Sequence, residues 1–450
     1  MKFFTIKRSI HKKIIGATFL LGLLSFNTIA QEKSQFLKLK DAIDTAVANN
    51  SAMQTGKIDE AIALEKAKQV NAAFLPKFNL SYTAFTTNNP LNAFGFKLQQ
   101  SEITQADFNP DLLNHPSQTN DFTTKLDAQQ PLFNLDAIYL KKSANAQTES
   151  YQFKTKRTQE YLTLETQKAY YQLQMAQEVV LVLEEALSTA KSAYEFTNNR
   201  VSQGLVQKSD LLNVEVMVLG IESNLNEPKA NLFNASDYLS VLMNKPTGIL
   251  YTVEKLSATN QKENILLKLP ENRSDFLAME KAIKATDYMS KSFQTKFVPR
   301  VNMFGSYQLN DKKFAGFGAD SYFAGVQLSW SIFNGTSDKR QAKGIKLEQQ
   351  KMDVQLRSMK QENQMQLDKY ERDLDNASFK IKQQKVAIAQ ATEALRIIQN
   401  RYEEGLVNTT DVLNAQTQLS QQKLMLLNTM FNNQLTQANI QFLTTPNSQK

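Results

Sequence analysis

Cysteine is absent from all 450 residues, which excludes disulfides, zinc–thiolate sites, a thiol nucleophile and a lipidated N-terminal cysteine. Histidine is nearly absent: His11 lies in the first thirty residues, and the only other, His115, sits between Asn114 and Pro116. No Walker loop, Gly-x-Ser-x-Gly elbow or His-Glu-x-x-His pair occurs. An enzyme is therefore not expected, and no cofactor or metal is implied. Past residue 30 there is no apolar run of helix-spanning length, so any membrane crossing must use strands. Glycine and proline are missing from 134–203 and again from 345–404, which leaves two very long segments free to be helical.

What is present begins with a leader. Lys2, Lys7, Arg8, Lys12 and Lys13 precede an apolar stretch from Ile14 to Phe26 and the small-residue end Thr28-Ile29-Ala30. That is the pattern of a signal peptide over 1–30, too short in its apolar core to remain as a membrane anchor. The formal net charge of +8 falls to +3 once those five cations are removed. No basic stripe remains for nucleic acid.

The rest is a tandem duplication. Arg200-Val201-Ser202-Gln203-Gly204-Leu205-Val206 with Ser209-Asp210-Leu211-Leu212-Asn213 recurs 201 residues later as Arg401-Tyr402-Glu403-Glu404-Gly405-Leu406-Val407 with Thr410-Asp411-Val412-Leu413-Asn414. Pro131-Leu132-Phe133-Asn134 is answered by Ser331-Ile332-Phe333-Asn334. In the second copy Leu367, Leu374, Ile381, Ile388, Leu395 and Tyr402 stand seven apart, with Tyr370, Ala377, Ala391 and Ile398 as a companion seam broken by Gln384. Leu173, Val180, Leu187, Tyr194 and Val201 form the equivalent seam of the first copy, accompanied by Ala169, Ala176, Leu183 and Ala190. Sustained heptads predict a coiled coil, and roughly 60–70 helical residues extend about 90–100 Å.

Four segments alternate with period two. Phe78, Leu80 and Tyr82 share one face; so do Phe122, Thr124, Leu126 and Ala128; Val301, Met303, Gly305 and Tyr307; and Tyr322, Ala324, Val326, Leu328, Trp330 and Ile332. The intervening residues are mostly polar, as in strands with lipid on one side and a wet lumen on the other. A soluble antiparallel sheet has the same alternation. The strand length and the spacing of Tyr322 from Trp330, about 26 Å at about 3.3 Å per residue, favour the membrane, with these two as interfacial aromatics. Four strands cannot close a barrel, and a spanning sheet cannot keep open edges, so the pattern demands an oligomer.

Helix, strand pair, long helix, a Gly-Leu-Val turn and a return helix opening on Ser-Asp-Leu-Leu or Thr-Asp-Val-Leu, all duplicated, resembles the TolC-like outer membrane factors. The start Leu37-Lys38-Leu39-Lys40-Asp41-Ala42-Ile43 through Asn50, and Met243-Asn244-Lys245-Pro246-Thr247-Gly248 at the close of the first repeat, are similar to that family as well. The resemblance implies an α+β membrane protein: long coiled-coil helices building a periplasmic α-barrel, and four strands per chain entering a twelve-stranded outer-membrane barrel of a homotrimer. It also implies a periplasmic adaptor (membrane fusion protein) docked at the far tip and, through it, an inner-membrane pump of RND or ABC type, in an efflux or type I secretion route. A coiled-coil scaffold or adhesin stalk in the periplasm is the alternative.

The expected organisation is a first repeat over 31–243, with strands 75–87 and 121–133, a long helix 134–203 and a return helix 209–243. A linker 244–270 follows. The second repeat covers 271–443, with strands 298–310 and 320–333, a long helix 336–404 and a return helix 410–443, then a tail 444–450. Pro228 is expected to kink or break the first return helix. The segment 88–120, with Phe94, Phe96 and Phe108, reads as a surface loop or as a partial lid. At the tips, Gly204 and Gly405 end helices, and helix-dipole pairing alone accounts for Arg200, Arg401, Asp210 and Asp411. Exposed Leu205, Val206, Leu406 and Val407 are the expected adaptor-docking tips, together with Arg200, Gly204, Arg401 and Gly405. For the aperture gate the expectation is Tyr402, Asp210, Asp411 and Asn414, with a Tyr402 hydroxyl to Asp210 carboxylate contact between neighbouring helices. Asn414 and Val407 stand where the family's best-known member carries charge, so a strong cation trap is not expected.

Overall fold

The computed structural model describes residues 35–257 and 268–447; residues 1–34 with the leader, linker positions 258–267 and the tail end 448–450 lie outside the described residues. In chain order the elements are β1 (Gln35–Phe36), α1 (Leu39–Asn49), α2 (Ser51–Asn71), β2 (Lys77–Thr87), α3 (Pro90–Gln99), α4 (Pro110–Asn114), β3 (Thr119–Phe133), α5 (Leu135–Ser202), α6 (Lys208–Leu242), β4 (Tyr251–Thr252), α7 (Ser274–Gln294), β5 (Arg300–Asp311), β6 (Ala319–Ser329), α8 (Ser337–Glu403) and α9 (Thr409–Thr444).

Helices α5 and α8 contain 68 and 67 residues, about 100 Å each at roughly 1.5 Å per residue. Asn134 starts α5 by accepting from the Ala137 amide at 3.2 Å. Helix α6 packs on α5, α5 on α9, and α9 on α8. The heptad residues lie inside: Leu173, Val180, Leu367, Ile381 and Leu395 are all buried. Where Gln384 interrupts the seam its Oε1 is buried without a hydrogen-bond partner. Helix α6 runs through Pro228 as one helix, so of the expected kink or break the break does not occur. The outer flanks stay apolar and bare, with Leu212, Val216 and Leu219 exposed on α6 and Val354, Phe379, Val386 and Ile397 exposed on α8.

Along the first half of α5 pack α2 and α7, with α1 nearer its middle, and α7 also lies against α8. The described part of the supposed linker is not free chain. Strand β4 pairs in parallel with β1, Gln35 opposite Tyr251, and Tyr251, Val253 and Leu256 are buried. The Tyr170 hydroxyl donates to the Leu37 carbonyl at 3.0 Å, and burial pushes that phenol above its ordinary pKa. Fully buried Arg273 joins three elements, bonding Asp275 at 2.6 Å, Asn363 at 3.1 Å and the Leu443 carbonyl at 3.3 Å.

Four strands form one antiparallel sheet in the order β2-β3-β5-β6. Register places Leu80, Leu126, Tyr307 and Tyr322 in one row, and Phe78, Ala128, Gly305 and Ala324 in the next row on that face. The opposite face carries the row Ser81, Lys125, Gln308 and Ser321. Strand β6 stops at Ser329 rather than 333, so Trp330 lies just beyond it. Helices α5 and α8 follow β3 and β6 at one end of the sheet, while the segments 88–118 and 312–318 occupy the other.

Candidate functional site

At the far end of the helix pairs, two turns are built alike. Gly204 and Gly405 adopt φ of 72° and 76°, a left-handed conformation cheap only for glycine. The Leu205 amide donates to the Arg200 carbonyl at 2.9 Å and that of Gly204 to Val201 at 2.9 Å. Leu406 to Arg401 at 2.8 Å and Gly405 to Tyr402 at 3.0 Å repeat the arrangement, a Schellman ending that satisfies the last helical carbonyls. Leu205 and Leu406 are left 68% and 62% exposed at the extreme tip. The Gly405→Ala variant is expected to destabilise the end of α8 by about 1–2 kcal/mol, because a Cβ is strained at this φ. Faster amide exchange confined to the last turn of α8 checks it.

Behind the turns the two repeats are joined by hydroxyls. The Tyr402 hydroxyl lies 2.9 Å from Thr197 Oγ1 and 2.7 Å from Thr409 Oγ1, and the two threonine oxygens are 3.0 Å apart. All three residues are buried. Thr197 donates its one proton to the Ala193 carbonyl at 2.8 Å, so within the cluster it must accept. Phe196 packs its ring 4.9 Å from that of Tyr402. The Arg200 guanidinium lies 4.7 Å from the Phe196 ring centre and 5.9 Å from that of Tyr402. It also donates to the Glu403 carbonyl at 3.4 Å. A first-repeat arginine thus closes the second repeat's helix end, while Arg401 is exposed.

Tyr402 therefore does not meet Asp210 within the chain, and its hydroxyl already has two partners. Asp210 is exposed in the first turn of α6, Asp411 is engaged in a capping box with Asn408, and Asn414 is exposed on α9. Val206 and Val407 are half-buried, and Val407 packs into the cluster around Tyr402. Thr197, Thr409 and Phe196 escaped the sequence reading. A signal existed for Thr197, since the repeat offset places it opposite Ile398, a polar residue at a seam position that is apolar in the other copy.

At the opposite end the sheet presents two unlike faces. Phe78, Leu80, Tyr322, Val326 and Leu328 are all exposed. Both edge strands, β2 and β6, have one side unpaired among the described residues. Trp330 remains exposed but its indole donates to the Phe297 carbonyl at 2.8 Å. Around that junction Leu75, Phe297, Ile332 and Phe333 are exposed too. Among the described residues no helix is long and apolar enough to cross a membrane.

The outer membrane efflux protein family model matches residues 42–245 and 266–444. Outer membrane protein TolC of Salmonella enteritidis is 23% identical over 451 residues, which cover 96% of this chain and 86% of that one. Crystal structures of CusC superpose with a TM-score of 0.76 at 16% identity, over 91% of this chain and 93% of theirs. VceC of Vibrio cholerae gives 0.75 at 16% identity, over 91% and 96%.

Proposed function

Because the chain belongs to the outer membrane efflux protein family and is thus an outer-membrane channel subunit, we propose that three copies assemble into one conduit from the periplasm to the cell exterior. The observation that carries this is the sheet: four strands with a bare apolar face and two unpaired edges. Such a sheet is viable in hydrocarbon only when neighbouring copies close it into a barrel. Three copies supply twelve strands. The bare flanks of α6 and α8 support the same reading, because an apolar stripe on each outer helix suits packing against the next copy.

In this reading the paired tips carrying Leu205 and Leu406 dock a periplasmic adaptor, which links the conduit to an inner-membrane pump of RND or ABC type. Arg200, Gly204, Val206, Arg401, Gly405 and Val407 frame that surface. The hydroxyl cluster at Tyr402 holds each helix pair together behind it. Tyr322 and Trp330 lie at the two membrane interfaces, and transport involves no catalysis by this chain. Cargo crosses a mostly polar bore, so choice of cargo belongs to the pump.

Cell fractionation tests the assembly: the protein is expected with the outer membrane and as a heat-dissociable trimer. Recovery as a soluble monomer defeats the proposal. The absence of cysteine makes a second test clean. A Leu205→Cys or Leu406→Cys variant should crosslink to a periplasmic adaptor in cells, and a Tyr322→Cys variant should not.

A further inference from the structure

Segment 88–118 is folded, and its helix α3 lies over the polar face of the sheet. Asn89 caps α3 by accepting from the Leu91 and Asn92 amides at 3.2 Å, and α3 rests against β3 and β6. Thr83, Thr123, Asn310 and Ala319 form one row on the polar face. Asp121 and Phe85 point the same way, each two residues from a member of that row. At this end of the sheet the polar face is covered over β3, β5 and the start of β6, where Asp121 is 0%, Asn310 1%, Ala319 8% and Thr119 8% exposed, while Phe85 on the edge strand β2 stays exposed.

Gln100, at the end of α3, makes the attachment. Its amide donates to the Asp121 carboxylate and to the Asn120 carbonyl, both at 2.8 Å. Asn310 at 3.0 Å and Thr123 at 2.5 Å complete the donors around that carboxylate. Phe96 stacks on Phe85 with ring centres 5.6 Å apart. Within the segment Phe94 meets Phe108 edge-on at 5.7 Å, and Lys97 bonds Asp107 at 2.8 Å. Hydrogen bonds from the Lys97 ammonium and from the Thr104 amide and hydroxyl hold the Asp107 carboxyl down to about 2. Lys312 reaches Glu102 at 2.7 Å and ties the far side to the β5–β6 turn. That turn goes the other way: Phe314 packs on Tyr82 and Phe122, on the apolar face, at 5.9 and 5.8 Å.

From this placement we propose that residues 88–118 are an inward-folded cap at the outer mouth of the conduit, pinned through Gln100 to Asp121, which sets the size of what can leave. The proposal rests on the conduit reading, in which the polar face lines the bore and the helices lie in the periplasm. Around a trimer three such caps project over the polar faces and narrow the exit at the end opposite the helical tips. The channel then has two constrictions, one at the tip and one at the surface, held by unrelated side chains.

Accessibility from outside the cell tests this without involving the tip. A Gln308→Cys variant puts the only thiol on the polar face, beneath the cap. Intact cells are treated with a small charged maleimide and, separately, with a bulky polyethylene-glycol maleimide. The expected result is full labelling by the small reagent and background labelling by the bulky one. Replacing residues 90–116 by a short Gly/Ser turn should raise bulky labelling to the level of the small reagent. Gln100→Ala should move it the same way, with unheated trimers in the outer membrane confirming assembly of both variants. Bulky labelling of the capped chain equal to that of the capless chain overturns the cap. No labelling by the small reagent in either chain means the polar face does not line an open bore, and then the conduit reading itself fails.

Discussion

The Leu126→Arg variant is expected to be missing from the outer membrane as a trimer. Leu126 is the central residue of β3 and sits on the apolar face between Leu80 and Tyr307. A guanidinium at mid-depth in lipid destabilises a barrel by about 2–4 kcal/mol, so three copies lose roughly 6–12 kcal/mol per trimer. That is as large as the whole net stability of an ordinary folded domain. The opposite face behaves differently, since it already holds Lys125 and Asp127 in a mutual ion pair of 2.9 Å. A Gln308→Arg variant should therefore assemble normally. Comparing heat-dissociable trimer in outer-membrane fractions for the two variants decides the matter. Normal trimer from Leu126→Arg would show that this face does not meet lipid.

The Tyr402→Ala variant is expected to open the helical tip. Removing a buried aromatic ring costs about 3–5 kcal/mol through lost transfer free energy and the cavity left behind. Here the ring is also what Phe196 and Arg200 pack against. The loss falls on the joint between α5 and α9, where the repeats are held together, so loosening should appear as motion of one helix pair relative to the other. Single-channel conductance in a planar bilayer should rise, and cells should admit large antibiotics that the parent excludes. Tyr402→Phe keeps the ring and deletes one hydroxyl, costing about 1 kcal/mol per subunit, and should give a smaller increase. With Thr197→Val the double variant should be non-additive, because the two hydroxyls are in direct contact. Asp210→Ala should leave conductance unchanged, as that carboxylate is exposed and off the joint. A Tyr402→Ala channel that melts earlier but conducts like the parent would reduce Tyr402 to core filling.

These two sites differ in how far they can be read from the chain itself. Leu126 belongs to an alternation visible along one segment, and register puts it in the row that alternation implies. Tyr402 is visible as the last heptad residue, yet its partners are not, because Thr197 lies 205 residues away in the other repeat. Asp210 drew attention through its place beside the repeated turn, but a residue two positions into α6 faces solvent once that helix packs on α5. Pro228 looked disruptive by local rule. The helix continues through it because neighbouring packing outweighs a single local penalty of about 3 kcal/mol.

What the sequence by itself determined is the set of properties encoded over short distances. Heptads with no glycine or proline make long helices, period-two alternation makes two-faced strands, and a glycine after a helix end makes the tip turns. The repeat offset makes all of these occur twice. Tertiary structure alone decided what depends on which distant segments meet. It placed Tyr251 beside Gln35, folding half a linker into the core, brought Thr197 and Thr409 to one phenol, and laid α3 over the polar face with Gln100 on Asp121. Period and propensity act on neighbours in sequence, whereas hydroxyls and amides find their partners only after the helices have docked. The duplicated frame is therefore written along the chain, and the contacts that hold its two ends arise from packing across it.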